Sequence, residues 1–320
     1  MNEMSRTEVR THETRALFTT NTIMQQQNHK IKEVMINSQD PGATIDQLAR
    51  IRGWFRPEDD STFYPIIQDY VNERIDLAEA SSKLFAPIDE KISNQRLDDV
   101  NFLDLWYSII HSAKRISYLK LEMHDRVADL VTAFEDHNIV GNEKYNYLYK
   151  SLTDFPMACQ ESYNDAPAAY HGFVKIEVDA WTNANLFFAR LTHKCLGDHS
   201  YFAIYAMRQA LETPHENDEE GTIAQKYDAY VPAAVAWIFG FGSDLFHKEE
   251  DLTPTDPRFG NPGRGGKLWK GKAEFSPARW VFWQDRLAEV GNMDDVKEET
   301  RNIARDAVEH MERAQTFERV

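Results

Sequence analysis

The chain has 320 residues and is strongly acidic, with 36 Lys and Arg against 52 Asp and Glu and a formal net charge of −16 at pH 7. This balance disfavours general binding to DNA, RNA or anionic lipid, because phosphate binding depends on Lys and Arg that displace counterions. The hydrophobic share of 42% is enough for a core, which argues against wholesale disorder. Two cysteines are too few for a disulfide scaffold.

The N-terminal segment and the apolar runs predict a protein without a membrane segment. Residues 1–20 are polar and lack the apolar core of a signal peptide, and we expect them to be flexible. The longest apolar run, 231–241, is about half of the ~20 residues that a bilayer crossing needs. We therefore predict a cytoplasmic protein whose Cys159 and Cys195 are reduced thiols.

Apolar residues recur at steps of three and four, which predicts an all-α fold, a multi-helix bundle or array. Residues 21–320 are predicted to form one domain, and a subdivision near 140–165 is left open. In chain order, helices are predicted at about 44–53, 63–80, 102–134 (one long helix or two nearly collinear ones), 143–152, 166–192, 199–212, 222–241, 277–290 and 296–317.

A connector at residues 248–272 interrupts this pattern with three prolines and five glycines. Between Arg258 and Arg286 seven basic residues face two acidic ones, so this window carries +5 within a chain of −16. Glycine N–H groups beside Lys and Arg suit a phosphate, a carboxylate or an acidic partner. The alternative is a structured loop whose tryptophans and lysine stems pack over the helices. The candidate ligand-binding residues here are Arg264, Lys267, Trp269, Lys270, Lys272 and Arg279.

Residues 266–272 formally match the phosphate-loop pattern G-x-x-x-x-G-K. A phosphate loop also needs a Ser or Thr next and must connect a strand to a helix. Here Ala273 follows and a Pro/Gly coil precedes, so nucleotide hydrolysis is disfavoured. Ser276 and Pro277 instead predict a helix start, with Ser as the N-cap and Pro at the first helical position.

Two imidazoles and a thiol lie close together in residues 192–199. His193, Cys195 and His199 could ligate zinc, or Cys195 could act as a nucleophile activated by a histidine. The alternative is a helix–turn–helix junction in which Gly197 ends one helix. Because no spacing specifies a site, we predict no metal and no cofactor and keep these three residues as catalytic candidates.

The helix predicted at 166–192 carries Trp181, Asn185 and Arg190. Asn is a poor helix former with several hydrogen-bonding positions, so a buried Asn185 must find partners on another helix or on a ligand. These three residues are further candidates for ligand binding, and structural packing is the alternative.

The second half of the chain resembles a family of uncharacterised fungal proteins, domain of unknown function 3632. The resemblance covers roughly residues 100–315. It implies a fungal, helical, soluble protein, and the family supplies no reaction and no catalytic residues. The motifs that carry it are W-x-N-x-N-L-F-x-A-R-L at 181–191, A-x-R-x-A-L-E at 206–212, V-P-A-A-x-x-W-I at 231–238, G-x-L-W-K-G-K at 266–272 and F-S-x-x-R-W-x-F-W at 275–283.

A D-D-x-x-E pattern is formed by Asp294, Asp295 and Glu298. Clustered carboxylates can bind Mg²⁺ or act as acid and base. The pattern is similar to one associated with the fungal arginine-containing cyclodipeptide synthases, which use aminoacyl-tRNA. The alternative is a helix N-terminus, where acidic residues are favoured.

These observations leave two functional hypotheses open, and whether the protein is an enzyme stays undecided. The first is an accessory or binding protein that takes a small anionic molecule or an acidic protein partner at residues 258–286. The second is an enzyme of secondary metabolism, including the aminoacyl-tRNA-dependent synthase.

Overall fold

The computed structural model describes residues 6–56, 61–256, 258 and 260–316. It confirms the all-α prediction, and its strands β1 (Glu250–Asp251) and β2 (Glu274–Phe275) pair antiparallel over two residues each. Residues 1–5 of the segment predicted to be flexible lie outside the described residues. The helices are α1 (Arg6–Asn37), α2 (Pro41–Arg52), α3 (Tyr64–Val71), α4 (Leu77–Ser93), α5 (Phe102–Lys114), α6 (Leu121–Glu135), α7 (Tyr147–Lys150), α8 (Phe155–Tyr163), α9 (Lys175–His193), α10 (Ser200–Met207), α11 (Ile223–Phe246), α12 (Pro277–Val290) and α13 (Glu298–Thr316).

Helix α9 lies at the centre of the array. The helices α2, α5, α6 and α11 all pack against it. Consecutive residues Leu186, Phe187, Phe188 and Ala189 are each fully buried, so α9 is covered on every side. A helix that is apolar all round belongs in a core. Its start at Lys175 is later than the predicted residue 166, because residues 164–174 form turns.

The crossing of α9 and α11 depends on the absence of a side chain at Gly240. A Cβ there would lie 2.8 Å from Ala189 Cβ and 3.0 Å from Leu186 Cδ1. Gly240→Ala is therefore expected to lower the free energy of unfolding by about 1–3 kcal/mol through overpacking. The measurement is urea unfolding monitored by circular dichroism.

Gly242→Ala is the matched control for that substitution. Its Cβ would have its nearest contact at 3.6 Å, with Ile238 Cγ2. In the same helix alanine is favoured over glycine by up to about 1 kcal/mol, so this variant should be as stable as the native protein or more stable. Equal effects of the two substitutions would contradict the tight crossing.

The apolar stripe at 102–134 forms two helices, α5 and α6, and not one. Asn183 of α9 holds the turn between them: its Oδ1 accepts from the Tyr118 backbone N–H at 2.8 Å, and its Nδ2 donates to the Lys114 carbonyl at 2.8 Å. These bonds satisfy backbone groups that the break in the helix releases. The turn leaves Arg115 at the C-cap of α5.

The start of α12 agrees with its sequence signals. Ser276 Oγ accepts from the Arg279 backbone N–H at 3.3 Å, and Pro277 is the first helical residue. Trp280, Trp283 and Leu287 share the buried face, as the spacing predicts.

One helix among the described residues, α11, is long and apolar enough to cross a membrane by length and composition. The apolar segment is therefore longer than the run at 231–241 indicated. The most apolar part of α11 is 72% buried inside the protein, between α9 and α13. The apolar character of α11 therefore has an explanation in the packing of this fold.

Candidate ligand-binding site

A cavity of about 550 Å³ lies between α2, α3, α5 and α9 and is closed at one side by the 115–120 turn. Its volume falls in the usual range for small-molecule sites, about 300–1,000 Å³. Its walls carry three basic side chains, Arg115, Lys120 and Lys175, and three acidic ones, Asp40, Asp179 and Glu299. The balance of charge makes this a polar pocket.

Arg115 is fixed on the wall of this pocket by one side of its guanidinium group. Its Nη1 donates to the Tyr64 hydroxyl at 2.8 Å and to Gln68 Oε1. Gln68 is itself held, because its Nε2 donates to Ser112 Oγ at 2.7 Å. The guanidinium therefore has a defined orientation before any ligand arrives.

The other edge of the Arg115 guanidinium, formed by Nε and Nη2, makes an ion pair with Asp46 but no hydrogen bond to any described residue. Nε is buried and has no hydrogen-bond partner within the described part of the chain. It lies 3.4 Å from Asp46 Oδ1, but that oxygen already accepts from the Tyr64 hydroxyl at 2.9 Å and from His111 Nε2 at 2.8 Å. Such a buried donor needs an acceptor, and the Nε/Nη2 edge has the geometry for a bidentate carboxylate or phosphate.

Gly42, at the start of α2, keeps that edge uncovered. A Cβ at residue 42 would lie 2.8 Å from Arg115 Nη2 and 2.9 Å from Nε. Both residues line the cavity. Any side chain at residue 42 would occupy the place of a hydrogen-bond acceptor.

Tyr64 and His111, the two side chains that bond Asp46 behind Arg115, stay uncharged near neutral pH. Burial, and next the charge of Asp46, raises the pKa of Tyr64, so its hydroxyl keeps its proton. Burial lowers the pKa of His111, so its ring is neutral. Arg115 is thus the cation of this wall, and Asp46 is held by two neutral donors.

The opposite wall of the cavity is acidic. Lys175 Nζ donates to Asp179 Oδ1 at 2.7 Å and to Glu299 Oε1 at 3.5 Å, so two carboxylates share one ammonium group. Burial, and next the charges of Glu299 and Asp179, raises the pKa of Tyr118 to about 12. The pocket therefore has a basic wall and an acidic wall.

The basic window between Arg258 and Arg286 is organised by an internal ion pair. Arg279 and Glu212 are both fully buried; Arg279 Nε donates to Glu212 Oε1 at 2.7 Å and Nη2 to Oε2 at 3.0 Å. Arg279 Nη1 donates to the carbonyls of Gly263 and Glu274. The guanidinium of Arg279 is therefore committed to the protein itself.

Two backbone N–H groups of the 266–272 segment also bind Glu212. The Gly266 N–H donates to Glu212 Oε2 at 2.8 Å, and the Leu268 N–H donates to the Glu212 carbonyl at 2.9 Å. The anion held by this loop is thus the protein's own carboxylate. Trp269 Nε1 donates to the Lys272 carbonyl at 2.9 Å. The remaining candidates of the connector have exposed side chains: Arg264, Lys267, Lys270 and Lys272.

The candidates on α9 are satisfied by the protein. Asn185 Nδ2 donates to the Trp181 carbonyl at 2.9 Å, and its Oδ1 accepts from Trp237 Nε1 at 2.8 Å. Trp181 Nε1 donates to the Tyr163 carbonyl at 3.2 Å. Arg190 makes a bidentate pair with Asp125 at 2.7 and 3.0 Å. The partners that Asn185 requires come from α11 and α9 itself.

A second cavity, of about 510 Å³, is lined by part of the 192–199 segment: Thr192, His193, Cys195, Gly197 and Asp198. His193 Nδ1 bonds Asp244 Oδ2 at 2.7 Å, and exposed Cys195 lines the same cavity. His199 lies in the core, and burial lowers its pKa to about 4. Across the described residues, no three His, Cys, Asp or Glu side chains are grouped to hold a metal ion.

The carboxylates of the D-D-x-x-E pattern lie where α13 begins. Asp294, Asp295 and Glu298 are exposed, and Glu298 is in the first turn of the helix. Acidic side chains stabilise that end of a helix. Asp294 is 3.9 Å from Arg301 and fully exposed.

The residues of the Arg115 pocket were missed by sequence reasoning. Gly42, Gln68, Arg115 and Asp179 come from four separate helices or their ends, and no local spacing relates them. The local signal is Gln68 with Ser112, polar residues in helices whose buried residues are mostly apolar.

Fold and cavity together define an all-α protein with a polar pocket of small-molecule size between its helices. The chain belongs to the DUF3632 family: the model described as "Protein of unknown function (DUF3632)" matches residues 106–287, more than half of the chain. The family resemblance is thereby confirmed. The matched segment contains Arg115 and Asp179 and leaves out Gly42 and Gln68. No curated protein and no solved structure matches the chain.

Proposed function

We propose that this protein binds a small anionic molecule, and that Arg115 recognises the anion in the cavity between α2, α3, α5 and α9. The observation that carries the proposal is the Nε/Nη2 edge of Arg115, with a buried Nε that lacks a hydrogen-bond acceptor among the described residues. A carboxylate or phosphate would supply that acceptor.

The Nε/Nη2 edge of Arg115 differs from the same edge of the arginines that pair bidentately within the fold. The arginines that stabilise the fold use the same edge: Arg279 bonds Glu212 through Nε and Nη2, and Arg190 bonds Asp125 in the same way. Arg115 makes its hydrogen bonds through Nη1, and its Nε has only the longer 3.4 Å ion pair with Asp46, in a pocket whose volume suits a small molecule. This contrast within one chain supports binding as its function.

Ligand-observed NMR with acetate, benzoate and inorganic phosphate tests the proposal. Arg115→Met is expected to weaken the best-binding probe by about 10- to 100-fold, because a hydrogen bond to a charged group contributes about 1.5–3 kcal/mol. Arg126→Met is the matched control, since Arg126 is 29% exposed, pairs with the Tyr70 carbonyl and lies outside this cavity. Equal affinities of the two variants would contradict the proposal.

A second candidate function is docking of an acidic protein partner on the connector. The supporting observation is that Lys267, Lys270 and Lys272 are exposed on a loop that Glu212 holds in place. Reversing all three lysines to Glu should then weaken partner capture from a lysate. Unchanged capture at unchanged stability would dismiss this candidate.

We propose the cytoplasm as the location, on the sequence grounds given above. A fungal source and a role in secondary metabolism stay predictions.

A further inference from the structure

We propose that the ligand of the Arg115 pocket is a zwitterion, a small molecule with a carboxylate at one end and an ammonium group at the other. This inference rests on the proposed function, and it names the ligand class for the same site. Its basis is the separation of charge across the cavity.

The basic end of the pocket offers one bidentate site. Arg115 presents Nε and Nη2 beside Gly42, which has no side chain to cover them, and the Nε has no hydrogen-bond partner among the described residues. Neutral Tyr64 and Gln68 hold the guanidinium in place. A planar carboxylate matches this edge with two parallel N–H···O bonds.

The acidic end carries an excess of negative charge. Asp179 and Glu299 both accept from Lys175, and the more distant charge of Lys297 also acts on Asp179, so two carboxylates at this wall share one hydrogen-bonded ammonium group. Burial raises the pKa of Asp179 although Lys175 opposes the shift. A ligand cation beside Asp179 would therefore relieve an unfavourable carboxylate charge.

Tyr118 adds an aromatic surface at the acidic end. The residue lines the cavity, is half-buried, and its backbone is fixed by Asn183. Aromatic faces attract ammonium groups, and most strongly where the site is partly desolvated. Two carboxylates and one aromatic ring are a common set of groups for an organic ammonium ion.

A dianion suits this pocket less well than a zwitterion. Its second negative group would meet Asp179 and Glu299, and only exposed Lys120 adds a further positive charge to the walls. Like charges at close range oppose binding. The ligand class is thus decided by the wall opposite Arg115.

The test is a calorimetric titration with ω-aminocarboxylates from 4-aminobutanoate to 8-aminooctanoate. Each is compared with the monocarboxylate and the α,ω-dicarboxylate of the same chain length. At the best length the aminocarboxylate is expected to bind at least tenfold more tightly than its monocarboxylate. Glu299→Gln and Asp179→Asn should each reduce that advantage, which is the ratio of the aminocarboxylate affinity to the monocarboxylate affinity of the same variant. The use of two variants guards against a local rearrangement in either one.

The outcomes separate this inference from the proposed function. Monocarboxylates that bind through Arg115 with no gain from the amine would overturn the zwitterion and leave the anion site standing. Tighter binding of a dicarboxylate would also overturn it. If inorganic phosphate binds and no carboxylate does, the zwitterion fails and the anion site stands, whereas if neither binds, both the inference and the proposed function fail.

Discussion

Replacing Glu212 by alanine is expected to lower the free energy of unfolding by about 3–5 kcal/mol. The substitution leaves the guanidinium of Arg279 buried with no counter-charge, and removal of one partner of a buried ion pair costs about that much. It also removes the acceptor of the Trp283 indole N–H, at 2.7 Å, and of the Gly266 N–H. Arg279→Met should cost a similar amount, because it leaves the carboxylate unpaired. Guanidinium unfolding followed by tryptophan fluorescence measures both.

The control for these variants lies in the same connector. Arg258 pairs with Asp256 at 2.6 Å, but its side chain is 88% exposed. Exposed pairs contribute about 0–1 kcal/mol, so Arg258→Ala should change stability little. A loss below about 1 kcal/mol in both Glu212→Ala and Arg279→Met would contradict the buried pair as the anchor of the connector.

Acidification is expected to destabilise the protein through two buried histidines. Burial lowers the pKa of His124 and of His199 to about 4 in the folded protein, from an ordinary value of 6.5. The unfolded chain therefore takes up a proton first as the pH falls. The stability from each histidine is fully present above about pH 6.5 and is lost progressively toward pH 4. Each histidine should account for a loss of about 2 kcal/mol in the free energy of unfolding between pH 7 and pH 5.

His199→Phe tests this contribution. The ring lies among Phe155, Phe188 and Phe202, and its Nε2 has no hydrogen-bond partner among the described residues, so phenylalanine fits the site. Between pH 7 and pH 5, the free energy of unfolding should fall by about 2 kcal/mol less in the variant than in the native protein.

Phe155→Leu is the comparison variant for His199→Phe. It removes a neighbouring ring without removing a titrating group, and it should lower stability alike at every pH. The same pH dependence in the native protein and His199→Phe would show that this account of acid sensitivity is wrong.

Local sequence signals predicted the helices well where their causes are local. Ser276 and Pro277 begin a helix in the sequence and in the structure, and residues 277–290 agree with α12. The periodicity at 102–134 predicted the buried face of α5 and α6. It did not decide between one helix and two, because the break is held by Asn183, which is remote in sequence.

The sequence interpretation of the basic window counted every charged side chain as free to bind a ligand or partner. Arg279 contributed to the +5 window, yet its partner Glu212 lies 67 residues earlier and is fully buried. Composition does not contain such pairings. The Arg115 pocket was missed for the same reason, since Gly42 and Arg115 meet only through the packing of α2 against the end of α5.

The central claim is that the uncovered Nε/Nη2 edge of Arg115 binds an anion, and Gly42→Ala tests it most directly. The added methyl group would lie within 3 Å of both nitrogens while the charge of Arg115 stays in place. We expect the best-binding carboxylate probe to lose at least tenfold in affinity by calorimetry. Because the methyl group must displace the fixed guanidinium, the free energy of unfolding should also fall, by about 1–3 kcal/mol, so affinity is measured under conditions where the variant is fully folded. If Gly42→Ala binds the probe as tightly as the native protein, the Arg115 edge is not the anion site.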